Sequence, residues 1–151
     1  MQLSEIKPQF VIVMGGAGSG KNHFIANNPP YSGYELIDVD AIKGEVGLDA
    51  AISQIKPLII SSFEVQENVV HPTTGTNLKA QQNKIALAHD YGYVVTLILV
   101  DVPIEQAIDQ VRQRVRAGGH DVSLEKIVSS NKIAKENFNS LSQLVDKAQV
   151  V

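Results

Sequence analysis

The stretch FVIVMGGAGSGKN, Phe10 to Asn22, joins an apolar run to a glycine-rich loop that ends in a lysine. The apolar run predicts a buried β-strand, and Lys21–Ala26 predicts a short helix directly after the loop. Glycines let the backbone turn tightly and direct successive N–H groups at phosphate oxygens, and the helix N-terminus adds about half a positive charge. The stretch therefore predicts a strand–loop–helix unit that binds phosphate groups.

The spacing Gly15-x4-Gly20-Lys21 suggests a role for each part of the loop. We expect backbone amides to hold the phosphates of a nucleoside triphosphate, ATP or GTP, and Lys21 to reach the β- and γ-phosphates. A glycine-rich turn with a solvated lysine is the alternative, which the preceding strand and following helix disfavour. The expected nucleotide contacts are Gly15, Gly16, Ala17, Gly18, Ser19, Gly20, Lys21, Asn22 and His23.

Asn22 is the unusual residue of the loop, because a serine or threonine hydroxyl there usually binds Mg²⁺ between the β- and γ-phosphates. An amide oxygen is also a competent ligand, although its side chain is longer. Three outcomes stay open: weaker metal binding, nucleotide binding without catalysis, and an unaffected site. The predicted metal ligands are Asn22 and Asp38.

Segments of strand length alternate with segments of helical period, which is typical of βαβ units around a parallel sheet. With 151 residues, the chain is predicted to form a single domain, residues 1–151, with a doubly wound α/β sheet of about five strands. Helices are predicted at Thr76–Asp90, from Pro103 to Gly118-Gly119, and from Leu124 onward as one or two helices. The predicted strands are Phe10–Met14, Tyr34–Val39, Leu58–Ser62, Val94–Val100 and, at the end, Ala148–Val151.

Composition limits the possible functions. The net charge of −3 disfavours a broad nucleic-acid-binding face, and the absence of cysteine excludes disulfides, thiolate zinc sites and cysteine nucleophiles. The longest early apolar run is too short for a signal-peptide core or a membrane span. We expect a soluble, cytoplasmic protein that does not bind membranes.

Two carboxylates, Asp38 and Asp40, end the second predicted strand in the segment LIDVDAIK. The carboxyl ends of strands form the ligand crevice of open parallel sheets. A carboxylate beside the γ-phosphate could accept the proton of an attacking hydroxyl, and we assign this role to Asp40. Capping of the following helix is the alternative role for either residue, and we expect Asp38 to cap it or to support the site.

The segment RQRVRAGGHDV carries three arginines at alternate positions before Gly118-Gly119 and His120. On a helix, Arg112 and Arg116 share one face and Arg114 lies nearly opposite, so at most two can converge on a ligand. Arginines neutralise charge that develops during phosphoryl transfer, and a glycine pair allows closure as a lid. A solvated basic helix face is the alternative. The predicted catalytic arginines are Arg112 and Arg116.

The chain resembles the zeta-toxin-like branch of P-loop kinases, which is close to small-molecule and polynucleotide kinases. The resemblance rests on three segments: GGAGSGKN at 15–22, IDVDAIK at 37–43, and GYVVTLILVDVPIEQAIDQVRQRVRAGGHDV at 92–122. It implies an ATP-binding kinase fold, with Lys21 on phosphate, Asp40 as base and the Arg112–Arg116 region as lid. A protein partner such as an antitoxin cannot be determined from the sequence.

The chain also departs from that family. Asn22 replaces the metal-binding hydroxyl, Ser61-Ser62-Phe63 is expected where the family has Glu-x-Thr after the third strand, and Ser129-Ser130 occupies a place that is often basic. Glu64, Glu67 or His71 could line the substrate crevice instead, and exposed loop positions are the alternative for all three.

We therefore expect a kinase that transfers the γ-phosphoryl group of ATP, with Mg²⁺, to a hydroxyl of a small molecule, nucleotide or nucleotide sugar. The alternatives are a nucleotide-binding module without turnover and a 5′-hydroxyl polynucleotide kinase.

Overall fold

The computed structural model describes residues 6–39, 48–119 and 121–151, and for residues 48–52 the backbone alone. Five parallel strands form one sheet in the order β2-β3-β1-β4-β5. The strands are β1 Gln9–Met14, β2 Glu35–Leu36, β3 Val69–Thr73, β4 Val94–Leu99 and β5 Lys147–Val150. The helices are α1 Lys21–Ala26, α2 Leu48–Glu64, α3 Leu78–Asp90, α4 Ile104–Arg116 and α5 Leu124–Leu141, with a 3₁₀ helix at Pro29–Gly33. The predicted fold class is confirmed.

Strand β1 lies in the centre of the sheet and is covered on both faces. Phe10, Ile12 and Met14 share one buried cluster with residues of α2, α3 and α5, whereas Val11 and Val13 pack on the opposite face near α1. Side chains of a strand alternate between faces, so a strand between two helical layers must be apolar at every position. This double coverage explains the uninterrupted apolar run that opens the sequence.

The predicted strand Leu58–Ser62 is wrong, because these residues lie inside α2. Ile55, Ile59 and Phe63 are buried at helical spacing, while Leu58 is 40% exposed. A short apolar run fits a strand or one turn of a buried helix equally well.

The third strand is instead β3, in a segment where the sequence analysis predicted no strand. His71 and Pro72 are both buried in it. The backbone of Val70 is directed toward β2, since its carbonyl accepts the Ile37 N–H at 3.0 Å. The backbone of Pro72, two residues later in the same strand, is directed to the same side. There β2 has already ended, so the missing N–H of Pro72 removes no ladder hydrogen bond.

The remaining elements follow the sequence-based expectations closely. Strand β2 is shorter than predicted, and α3 begins at Leu78 because the Asn77 side chain caps it by accepting the Ala80 N–H at 3.1 Å. The C-terminal helical region is one helix, α5, whose N-terminal cap is Ser123. In the described part of the chain, no helix is long and apolar enough to cross a membrane.

Candidate functional site

The glycine loop, Gly15–Gly20, leaves the carboxyl end of β1 between two neighbouring strands. The Gly15 N–H donates to the Thr73 carbonyl of β3 at 3.2 Å, and the Val100 N–H donates to the Met14 carbonyl at 2.8 Å. In the sheet, β2 and β3 lie on one side of β1, and β4 and β5, which come later in the chain, lie on its other side. This is the topological switch point, where open parallel sheets bind ligands.

Two glycines of this loop have backbone conformations that other residues rarely adopt. Gly18 has φ of 77° and Gly20 has φ of 92°. A side chain at Gly18 would also overlap the Ala107 carbonyl of α4, so the loop lies directly against that helix. These glycines are required by local geometry and not only by the approach of a ligand.

Helix α5 supports the loop from its other side. The Ser130 hydroxyl accepts the Ala17 N–H at 3.0 Å, and the Asn131 amide donates to the Ala17 carbonyl at 2.9 Å. A Cβ on Gly16 would overlap the backbone of Asn131. Ser130, which sequence comparison marked only as a departure from a basic position, is therefore a buried support of the loop.

The loop amides divide into two groups. Those of Gly15, Ala17 and Ser19 donate to protein acceptors, Thr73 O, Ser130 Oγ and Gly16 O respectively. Those of Gly18, Gly20 and Asn22 donate to no acceptor in residues 6–39, 48–119 or 121–151. Unpaired amides that cluster at a helix N-terminus are the usual donors to a bound phosphate.

A crevice of about 810 Å³ lies between α1 and α4, beside the loop. Residues Gly18 to His23 line it, together with polar side chains of α4, namely Gln106, Gln110, Gln113 and Arg114. Gln110 Oε1 and Ser19 Oγ are buried and have no hydrogen-bond partner within the described part of the chain. We refer to it as the α1–α4 crevice.

The three arginines of α4 have different surroundings. Arg114 lines the α1–α4 crevice, whereas Arg112 and Arg116 line neither of the two crevices and are exposed. Arg114 therefore lies on the face of α4 that borders this crevice, and Arg112 and Arg116 lie on another face, as helical spacing predicts. The catalytic role of Arg112 and Arg116 stays a prediction. The turn at Gly118, with φ of 88°, lets the Gly119 N–H donate back to the Arg114 carbonyl at 2.7 Å.

A second crevice, of about 760 Å³, lies between α2 and α3. Pro72, Thr73 and Thr74 from the end of β3 form its floor, and Asp38 lines it after β2. Lys21 and Asn22 line this α2–α3 crevice as well as the α1–α4 crevice. The two crevices therefore meet at the lysine and asparagine that close the glycine loop.

Residues 10–135 match the family model described as an AAA domain. The chain belongs to this P-loop NTPase family. None of the curated proteins matches the chain by sequence.

Solved structures with a similar fold agree with this P-loop NTPase assignment. One is a chain of the Pnkp1/Rnl/Hen1 RNA repair complex, 15% identical, with a TM-score of 0.78 over 92% of this chain and 48% of that one. Another comes from the PezAT toxin–antitoxin system of Streptococcus pneumoniae, 18% identical, with a TM-score of 0.76 over 99% and 70% of the two chains. A third, from the AvrRxo1-ORF1:ORF2 complex with ATP, is 15% identical, with a TM-score of 0.73 over 92% and 51%.

These comparisons confirm the resemblance to zeta-toxin-like P-loop kinases at the level of the fold. The chain spans about half the length of the RNA repair and AvrRxo1 chains that it matches.

The predicted metal ligands of this P-loop NTPase lie in one place. Asn22 and Asp38 both line the α2–α3 crevice and offer oxygen atoms, which Mg²⁺ prefers. In the described residues, no group of three or more histidine, cysteine, aspartate or glutamate side chains is placed to hold a metal. The residues therefore fit an ion that takes most of its ligands from nucleotide phosphates and water.

His71 forms an unexpected polar connection beneath the α2–α3 crevice. It is 1% exposed, its Nδ1 lies 2.6 Å from the Ile37 carbonyl oxygen, and its Nε2 lies 2.8 Å from Lys84 Nζ. The carbonyl can only accept, so Nδ1 carries the proton and Nε2 accepts from the lysine. Burial, and secondly the Lys84 charge, lower the pKa of His71 to about 3. Burial lowers the pKa of Lys84 to about 8.

Several residues that the sequence predicts for the site do not line it, and others lie outside the described residues. Asp40, the expected base, and His120 lie outside the described residues. Glu64 and Glu67 line neither crevice, and the Glu67 carboxylate instead accepts the Ser62 hydroxyl at 3.3 Å. Ser61-Ser62-Phe63 lies in α2, so the strand end that was compared with Glu-x-Thr is in fact His71-Pro72-Thr73.

Proposed function

We propose that the chain is an ATP-dependent phosphotransferase that transfers the γ-phosphoryl group to a hydroxyl of a small molecule, nucleotide or nucleotide sugar. The observation that carries this proposal is the meeting of two separate crevices at Lys21 and Asn22. A transfer reaction needs a donor site and an acceptor site that share the reacting phosphate. A nucleotide-binding module needs only the first.

The nucleotide occupies the glycine loop and the α1–α4 crevice in this proposal. The amides of Gly18, Gly20 and Asn22 hold phosphate oxygens, and the N-terminus of α1 adds its partial positive charge. Lys21 contacts the terminal phosphates, and Arg114 reaches them or the rest of the nucleotide from α4. The polar side chains of α4 offer donors and acceptors to the nucleoside.

The acceptor occupies the α2–α3 crevice, with its hydroxyl directed at the γ-phosphorus. The acceptor oxygen forms a bond to the γ-phosphorus, the bond from that phosphorus to the β–γ bridging oxygen breaks, and ADP leaves. The hydroxyl proton goes to a carboxylate, which we propose is that of Asp40, two residues after Asp38. Lys21 and Arg114 stabilise the charge on the transferred group.

A divalent ion fits beside this centre, with Asn22 and Asp38 as its protein ligands. Mg²⁺ supplies neutralisation of the charge on the β- and γ-phosphates when it is bound. Asn22 contributes an amide oxygen where a hydroxyl oxygen is usual. The protein therefore still supplies a ligand at this position, although one of a different chemical type.

The proposal is tested by incubating the protein with γ-³²P-labelled ATP and Mg²⁺ or Mn²⁺ and pooled nucleosides, nucleotides, nucleotide sugars, sugars and 5′-hydroxyl oligonucleotides. We expect one small-molecule pool to acquire label, and Lys21→Ala to abolish the labelling. ATP binding without labelled product in any pool, and without phosphate release, would show a binding module instead. Labelling of oligonucleotides alone would show a polynucleotide kinase.

A further inference from the structure

The charged side chains that line the α2–α3 crevice are mostly basic. Among the described residues, its four lysines outnumber its two aspartates, Asp38 and Asp90. In the function proposed above, Lys21 binds the nucleotide phosphates and Asp38 is a ligand of the divalent ion. One aspartate, Asp90, and three lysines then remain to contact an acceptor, and the lysines are Lys56, Lys84 and Lys126.

Lys84 differs from the other two because its position is fixed. Lys56 and Lys126 are exposed, whereas Lys84 is partly buried on α3. Its ammonium group donates to His71 Nε2 at 2.8 Å and to the buried Gln81 Oε1 at 3.2 Å. His71 is in turn fixed by the Ile37 carbonyl. Holding a lysine by several buried partners removes the conformational freedom that usually weakens its contacts.

The partners of Lys84 are neutral, so they satisfy two donors without neutralising the charge. An ammonium group has three donors, and one is left over. No carboxylate in residues 6–39, 48–119 or 121–151 forms an ion pair with it. A partly buried charge without a counter-charge is unfavourable unless a ligand supplies one. The arrangement keeps a cation at the wall of the crevice for an anion that comes from outside the protein.

We propose that Lys84, positioned by His71, binds an anionic group of the acceptor, so that the acceptor is an anionic hydroxyl compound such as a phosphate ester. This inference rests on the function proposed above and specifies its substrate class. The size of the crevice, about 760 Å³, suits a molecule with both a hydroxyl and a separate anionic group. Lys84 is a specificity residue in this account, and His71 is a positioning residue.

The test begins with the glycine loop filled by a non-hydrolysable ATP analogue, whose binding is first measured on its own. Inorganic pyrophosphate is then titrated by calorimetry into the filled wild type, Lys84→Met, Lys84→Arg and Lys79→Met. Lys79 is an exposed lysine of the same helix that does not line the crevice, so Lys79→Met is the matched control. Malonate, titrated at equal ionic strength, distinguishes a carboxylate site from a phosphate site.

We expect saturable pyrophosphate binding to the wild type and to Lys79→Met, binding at least tenfold weaker in Lys84→Met, and partial recovery in Lys84→Arg. Tighter malonate binding with the same dependence on Lys84 would identify the anion as a carboxylate. Equal affinity of wild type and Lys84→Met, or no saturable binding to the filled protein, would overturn the inference.

The role of His71 has its own readout. In His71→Gln, the ammonium group loses its fixed acceptor but keeps its charge, so pyrophosphate should bind more weakly while Lys84 remains present. Unchanged affinity in a folded His71→Gln would remove the positioning role. Failure of the ATP analogue to bind the wild type would contradict the proposed function itself, and the two failures are therefore distinguishable.

Discussion

Arg114 is the arginine of α4 that lines the α1–α4 crevice, whereas we predicted catalytic roles for Arg112 and Arg116 from the sequence. Helical geometry separates it from Arg112 and Arg116, but it does not say which face meets the ligand. Arg114 lines the α1–α4 crevice, and Arg112, on the same helix, lines neither crevice. The pair therefore provides a test with a built-in control.

We predict that Arg114→Ala weakens ATP binding about tenfold, or about 1.4 kcal/mol, because a charge-assisted contact to the nucleotide is lost. Arg112→Ala should stay within about twofold, as is usual for an exposed side chain away from a ligand. Calorimetric titration with ATP measures both. An effect of Arg112→Ala equal to or larger than that of Arg114→Ala would return the assignment to the other helix face.

Asn22 raises a second question at this scale. Its side chain is exposed at the junction of both crevices, where an amide oxygen stands in for a hydroxyl. We predict that Asn22→Thr tightens ATP binding several-fold in the presence of Mg²⁺ and leaves metal-free ATP binding unchanged, because the shorter hydroxyl is the usual ligand. Titrations of both proteins with and without Mg²⁺ measure this. The same Mg²⁺ dependence in both would mean that the asparagine does not weaken the metal site.

At the scale of elements, the glycine loop depends on its close contact with α5. Gly16→Ala would place a Cβ against the backbone of Asn131, which cannot move aside as a flexible side chain can. We predict a loss of about 1–3 kcal/mol in the free energy of unfolding, measured by urea denaturation. Gly33→Ala is the matched control, since a Cβ there meets nothing within 4 Å, and it should be neutral or slightly stabilising. Equal stability of the two variants would show that α5 does not constrain the loop.

The elements also show which parts of the fold a sequence can predict. β1, α1 and β4 were predictable because an apolar run or the glycine loop defines them within a short window. β3 was not, because His71 and Pro72 resemble a turn, and they fit a strand only where β2 ends and a lysine of α3 supplies a polar partner. Leu58–Ser62 was misread because a short apolar run does not reveal its period.

In the candidate site too, the sequence predicts some features and gives no signal for others. The spacing of the glycines and Lys21 predicted a phosphate-binding loop, and the structure places this loop at the carboxyl end of β1. The hydrogen bonds of Ser130 and Asn131 to Ala17 join residues more than 100 positions apart, so no local pattern announces them. The Lys84–His71 contact likewise joins a helix to a neighbouring strand, and each residue alone resembles an ordinary polar residue.

At the scale of the whole molecule, the buried His71 makes stability depend on pH. In the unfolded chain its pKa is near 6.5, and in the folded protein it is about 3, mainly because of burial. Between these values the unfolded chain binds the extra proton, so stability is lost as pH falls from about 6.5 toward about 3. From pH 7 to pH 5 the loss from this group is about 2 kcal/mol.

We predict that His71→Gln reduces the slope of stability against pH between 7 and 5, although it lowers stability at pH 7 by disturbing the buried contacts. His23→Gln, at an exposed histidine of α1, should keep the wild-type slope. Urea denaturation at several pH values measures all three proteins. A wild-type slope in His71→Gln would show that the buried histidine is not the group that titrates.

The architecture places two crevices on either side of one loop at the switch point of the sheet. We propose that nucleotide phosphates lie where those crevices meet. Calorimetric titration of ATP with Mg²⁺ into the wild type, Lys21→Ala and the exposed control Lys79→Ala tests it most directly. We expect ATP to bind the wild type and Lys79→Ala equally, and to bind Lys21→Ala at least tenfold more weakly, a loss of about 1.4 kcal/mol. Unchanged ATP affinity in a folded Lys21→Ala protein would contradict it.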